Sequence, residues 1–401
     1  MHLYRLSIYN GRMRKRFVVF LLVLVVALGA LSAAPFRFVF GDLGQHPEIV
    51  MGFLPSYFMG GAGYSGITLL EGNKTEIQLL AAAGYNQRKL WQDPWSGSVV
   101  YEDAMVYDVA DFDWSLRLAQ GFGDSKAGNK DLVTLTLSYD GQYEVAVDSL
   151  ALGKVRKNGG QFFVDTVSGY LGTDDYDGTI YPELNGSRQF LGTQFSLSFK
   201  YDQMTDTIHT NDGTLIKGAL KWGPAALNKA LDGYASYYSA SMDIINAKTL
   251  YELKKNGDTF LSIVFIDRVN ASFVDGDAIP AFIQGPNSLG RKVRGFNTYT
   301  YNTTFTMVNN ADIRFAGPFV GIDGIAPRVN LFFDCGFGYG RISNTEFKET
   351  NVLSSFGIQA AATFFDFCDL GYQLAYLIKG NNYVHTEASR IVGSVTFFLD
   401  F

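Results

Sequence analysis

Apolar and polar side chains alternate one by one along much of this chain. Val133, Leu135, Leu137 and Tyr139 alternate with Thr134, Thr136 and Ser138. Tyr143, Val145 and Val147 alternate with Glu144, Ala146 and Asp148, and Phe195, Leu197, Phe199 and Tyr201 with Ser196, Ser198 and Lys200. Period two is the signature of a strand with unlike faces. Runs at 238–244, 250–253, 261–265, 311–315, 329–337, 356–364 and 370–378 read the same way. Turn signals punctuate them: Asp140-Gly141, Asn256-Gly257-Asp258 and Gly380-Asn381-Asn382. Asp140-Gly141 between two clean runs predicts a tight hairpin. Residues 153–188, rich in Gly, Asp and Asn, predict a large surface loop with some strand near 162–167, and residues 223–230 predict a short helix. Strand signals run from about residue 47 to the end as one domain. About 355 residues at roughly 22 per strand and connection predict about 16 strands.

The last segment, Ile391 to Phe401, sharpens the fold class. Ile391, Gly393, Val395, Phe397, Leu399 and Phe401 share one face, while Ser394, Thr396 and Asp400 lie on the other with Val392 and Phe398. A soluble protein could use this as a half-buried strand. An outer-membrane barrel would close its wall with it, apolar face in lipid and polar face in the lumen. Val395, Phe397, Leu399 and the terminal Phe401 resemble the C-terminal sorting signal of bacterial outer-membrane barrels.

The start of the chain agrees. Arg12, Arg14, Lys15 and Arg16 precede fifteen apolar residues, Phe17 to Leu31, and then Ser32, Ala33 and Ala34. This reads as a secretory signal peptide over residues 1–33. The alternative is an N-terminal anchor, although the run is short of the roughly 20 residues of a spanning helix. Residues 34–401 are then the barrel, exported to a Gram-negative-type outer membrane. No other long uninterrupted apolar run follows, so a membrane-embedded mature chain would cross as strands.

Composition and charge narrow the classes further. Five of the 33 basic residues and none of the 39 acidic ones fall in 1–34, leaving 28 basic against 39 acidic, a net charge of −11. That argues against a nucleic-acid binder. The 33 Phe, 23 Tyr and 43 Gly suit aromatic girdles and strand bends, and would equally suit a β-sandwich. Cys335 and Cys368 fall on strands that are not neighbours and read as free thiols.

Residues 285–296 read Gly-Pro-Asn-Ser-Leu-Gly-Arg-Lys-Val-Arg-Gly-Phe, followed by Phe332-Phe-Asp-Cys-Gly336. The pair resembles the BamA-like outer-membrane assembly factors and two-partner-secretion transporters, a superfamily labelled bacterial surface antigens. The resemblance covers residues 280–401 best. It implies that an extracellular loop folds back into the barrel with Val293, Arg294, Gly295 and Phe296 at its tip. It also implies that Arg294 meets acids on the wall, including Asp334 of the strand motif Phe332, Asp334 and Gly336. Asn310, Asp312, Arg314 and Phe315 fit the strand between. Parity supports the register: Asp334 shares a face with Phe332 and Gly336, leaving Phe333, Cys335 and Phe337 for lipid. A lumenal carboxylate facing a guanidinium could form a bidentate, charge-assisted pair. Lys292 and Arg294 as solvated loop charges, with Asp334 an ordinary lumenal acid, are the alternative.

The resemblance further implies outer-membrane lipid and lipopolysaccharide as surroundings, the host's barrel-assembly machinery for insertion, and a client polypeptide. Strand signals beginning soon after the leader leave no room for POTRA domains, so the chain is expected to be a barrel-only member. A passive porin or a surface antigen displaying 153–188 are the competing expectations.

Three other signals carry little. Gly61-Ala-Gly63-Tyr-Ser-Gly66 lacks βαβ context and predicts a glycine-rich hairpin. Asp174, Asp175, Asp177 and Gly178 lack the acidic end ligands of a calcium loop. His2, His46, His209 and His385 are scattered, so no zinc set or triad forms locally. No enzyme motif, cofactor or metal is expected.

Overall fold

The computed structural model describes residues 36–40, 47–54, 57–68, 75–90, 105–125, 131–147, 155–157, 161–164, 185–206, 211–280, 283–284, 287–296, 301–317, 325–342, 346, 348–364, 368–380 and 390–399. The leader and Phe401 lie outside them, as does the 174–178 acidic run. Eighteen strands follow in order: β1 (Phe36–Phe40), β2 (Pro47–Leu54), β3 (Tyr57–Thr68), β4 (Thr75–Leu90), β5 (Met105–Asp124), β6 (Asp131–Val147), β7 (Val155–Lys157), β8 (Gln161–Val164), β9 (Gln189–Asp202), β10 (Thr205–Asp206), β11 (Asn211–Gly223), β12 (Ser236–Lys255), β13 (Asp258–Ala278), β14 (Thr303–Ala316), β15 (Ile325–Ile342), β16 (Lys348–Phe364), β17 (Cys368–Lys379) and β18 (Ile391–Leu399). Among the described residues two short helices interrupt them, α1 (Ala225–Ala230) and α2 (Leu289–Lys292).

Sixteen strands form one antiparallel sheet. Fifteen follow chain order, and the two-residue β10 extends the line of β9 along β11. β7 and β8 pair separately, in the segment read as a surface loop. β1 comes alongside β18, so the sheet curls round on itself. We call the end carrying the β13–β14 connection the loop end, and the other the turn end.

Inside and outside are inverted relative to a water-soluble sheet. Leu137, Leu197, Leu220, Leu331 and Phe356 are exposed, whereas Ser138, Ser196, Ser272 and Asp334 are buried. Trp222, Tyr238 and Tyr339 stand exposed near the loop end and Tyr372 near the turn end. A β-sandwich would hide those leucines. A barrel in lipid satisfies its backbone wall-wide and leaves them facing hydrocarbon. Cys335 is exposed on the outer face between Phe333 and Phe337, and β15 and β17, which carry the two cysteines, are separated by β16.

Four local expectations are corrected. Asp140-Gly141 is no hairpin: β6 passes through it, paired with β5 and β9 along both edges. Apolar residues at 133–139 and 143–147 share one phase, so a single strand serves them all. A two-residue turn would have needed positive φ, and neither residue has it. Gly141 instead leaves space for the Trp114 ring from the neighbouring strand, which a Cβ would meet at 1.9 Å. Asn256-Gly257 is the true turn, with φ of 57° and 93°. Likewise, Gly61 to Gly66 lies within β3, whose pairing slips between Tyr64 and Ile67, and is not a hairpin. The runs 238–244 and 250–253 are one strand, β12, and a strand already stands at β1 before residue 47.

Candidate functional site

The β13–β14 connection turns into the lumen. Ile279, Ile283, Leu289, Val293, Phe296 and Tyr301 are all buried. Ser288 caps α2 by accepting from the Arg291 amide at 3.3 Å. Leu289, Val293 and Phe296 then pack on inward-facing Val308, Leu353 and Leu377 of β14, β16 and β17, with Val392 of β18 alongside. Fully burying such side chains contributes about 1.5–3 kcal/mol each, so the loop is anchored by apolar packing before any charge is counted.

Gly336 is what admits it. A Cβ there would meet Val293 at 2.7 Å and Leu289 at 2.8 Å. Gly295 adopts φ of 92°, a backbone that favours glycine, and its Cα lies so close to β17 that a Cβ would meet Ala375 at 2.8 Å.

At the tip, Arg294 is clasped from several sides. Its Nε and Nη2 donate to the two oxygens of Asp334 at 2.8 and 2.6 Å. Nη2 also donates to Asp312 Oδ1 at 2.6 Å, and the Arg294 amide to Asp334 Oδ2 at 2.8 Å. The guanidinium carbon stands 3.9 Å from the centroid of the Phe332 ring. Phe332 in turn lies over Gly357 of β16, where a Cβ would meet it at 2.6 Å. Ser355 Oγ donates to the Arg294 carbonyl at 2.7 Å, and Asn310 Nδ2 to the Lys292 carbonyl at 3.1 Å. Asp334 is fully buried. Burial lowers the Arg294 pKa, but the Asp334 and Asp312 hydrogen bonds outweigh it and raise the pKa overall.

Lys292 makes a second, softer attachment. Its Nζ donates to Ser272 Oγ at 2.5 Å and Thr306 Oγ1 at 3.1 Å. Burial pushes its pKa down to about 8, partly offset by Asp243, with Arg291 adding to the fall.

The structure brings Val293, Arg294, Gly295, Phe296, Phe332, Asp334 and Gly336 together, with Asn310 and Asp312. Arg314 stands apart, donating to Asn211 at 3.2 Å. Val395, Phe397 and Leu399 lie in β18, with Val395 exposed. Sequence reasoning missed Ser355, the Lys292 anchor and the Phe332 stack. The inward parity of Ser355 was the one available signal.

No known family model matches this chain, and no characterised protein matches it in sequence. Among solved structures it is similar to BamA from Haemophilus ducreyi lacking POTRA domains 1–3, with TM-score 0.52 and 11% identity over 90% of this chain and 69% of that one. CdiB from Acinetobacter baumannii gives TM-score 0.44 and 11% identity over 88% and 53%. A ferric enterobactin receptor mutant from Pseudomonas aeruginosa gives 0.32 and 11% over 85% and 50%. With its inverted faces and curled antiparallel sheet, the chain has the fold of a transmembrane β-barrel of the outer-membrane type.

Proposed function

We propose that this chain works in the outer membrane as a BamA-like factor that helps insert or translocate polypeptides, with the Arg294 loop as an internal latch. The observation that carries the reading is the loop tip, Val293 to Phe296, seated on Asp334 with Gly336 opened to receive it. A guanidinium held by two carboxylates and a ring, over an apolar anchor, would keep the loop seated until these attachments let go together. That suits a latch better than a passive lining. The exit for a client strand would be the seam between β1 and β18. β1 has five residues and β18 nine, against 20 and 21 in β12 and β13. Among the described residues no register pairs the two edges, so fewer backbone bonds need to open there than elsewhere in the wall. Depleting the protein in its native host and quantifying all other outer-membrane barrels tests this. A joint fall, with unfolded barrels accumulating in the periplasm, supports assembly. Unchanged levels remove it.

The second reading is a diffusion channel. It is favoured by a polar groove on the inner wall, where Lys200, Lys217 and Asp243 line a hollow with Thr134, Ser198 and Asn270. Steady, ion-selective conductance in planar bilayers, unaffected by Arg294→Ala, would favour it.

A further inference from the structure

The outer face of β11 to β14 breaks the apolar rule of the wall. On β13 the inward side chains are even-numbered, since Ser272 receives Lys292 from the lumenal loop. Asp267 therefore points outward, in line with exposed Phe265. By the same parity Asn309 of β14 points outward, in line with exposed Met307 and Ile313. Asn309 Nδ2 donates to Asp267 Oδ1 at 2.6 Å. Asp267 is paired across the ladder with Asn246 of β12, which is exposed and accepts from Thr214 of β11 at 2.8 Å. Below them, at the turn end, Lys248 pairs with Asp212 at 3.3 Å. A polar stripe thus climbs from the turn end toward mid-wall. Asp267 is not at the margin of the apolar band, because Ile263 and Phe265 lie beyond it on β13 and Ile313 and Phe315 on β14.

A carboxylate offers about four acceptor sites and no donor, and the Asn309 amide uses one of them. Facing hydrocarbon, the rest go without partners, which is costly at this depth and marks such residues as buried against protein. The stripe also states what would cover it. Carboxamide donors lie next to a carboxylate acceptor at one height, and an ammonium next to a carboxylate at another. A two-fold axis along the membrane normal sets equal heights against each other, so a surface of this kind is complementary to itself. Ala311, outward between Asn309 and Ile313, leaves room for close approach of two walls.

We propose that the outer face of β12–β14 is an interface with a second copy of this chain in the membrane, in which Asp267 accepts from the partner's Asn309 and the reverse. The contact lies outside the lumen and needs neither the latch nor a client.

The test is done on the full chain in lipid bilayers at low protein-to-lipid ratio, counting subunits by single-molecule photobleaching. Wild type should be dimeric. Asp267→Leu with Asn309→Leu should weaken the dimer by about tenfold or more, the scale of lost hydrogen bonds to a charged group. Heat-modifiable mobility on gels would report that the variant still folds. In a Cys335→Ser, Cys368→Ser background, Ala311→Cys should cross-link copies on oxidation in the membrane, whereas Leu137→Cys, exposed on another part of the wall, should not. A monomeric wild type, a folded leucine variant that stays dimeric, equal cross-linking at both cysteines, or cross-linking of Ala311→Cys to a different protein each overturns the proposal.

Discussion

Removing Arg294 is the sharpest perturbation of the latch. Asp334 is fully buried and takes three of its hydrogen bonds from Arg294. Arg294→Ala keeps only the amide contact and strands a buried carboxylate beside Asp312. Breaking a buried pair from one side costs about 3–5 kcal/mol. The lost ring contact on Phe332 is worth about 1–2 kcal/mol when desolvated and falls within that range. Asp334→Ala should cost less, because Asp312 still holds one arm of the fork at 2.6 Å. The double variant should be no worse than Arg294→Ala, giving an interaction energy of about 2–3 kcal/mol. The assay is urea unfolding in detergent for all four proteins, with single-channel recording to follow release of the loop as current noise. Both single variants should be noisy and wild type quiet. Additive losses in the cycle, or quiet single variants, would refute the latch. Asp334→Asn serves as the shape-conserving control.

Three further outcomes are expected. Gly336→Val should unseat the loop without touching any charge, since its side chain would enter the space of Val293 and Leu289; the channel should become noisy like Arg294→Ala, and a quiet, normally stable variant would show that the packing yields. Lys292, at about 8 when the loop is seated and 10.5 when free, binds fewer protons seated, so loop stability is depressed below about pH 8 and should rise between pH 8 and 10.5; protease protection of the loop should increase over that window, and Lys292→Met should abolish the trend. An epitope inserted between Asp140 and Gly141 should block folding, read as loss of heat-modifiable mobility, because it interrupts a strand paired on both sides; a folded, surface-labelled product would restore the hairpin.

The sequence by itself determined the wall. Alternation from Val133 to Val147 states which atoms face lipid, and the phase holds whatever the neighbours are, because side-chain direction follows from backbone period alone. The motif residues Arg294 and Asp334 were legible on other grounds: the family resemblance of the segments 293–296 and 332–336 picked them out, and parity only turned Asp334 inward. Turn chemistry was less secure. Asp140-Gly141 and Asn256-Gly257 look alike as dipeptides, yet only the second bends. Pairing on both edges of β6 decided the first, and such pairing is non-local. Only the tertiary structure showed that Gly336 and Gly357 are hollows, one for Val293 and Leu289, the other for the Phe332 ring beneath Arg294. Only it showed that Asp267 and Asn309, 42 residues apart, meet on the outer face. Both depend on which strands lie side by side and at what register, a property of the whole sheet rather than of any segment within it.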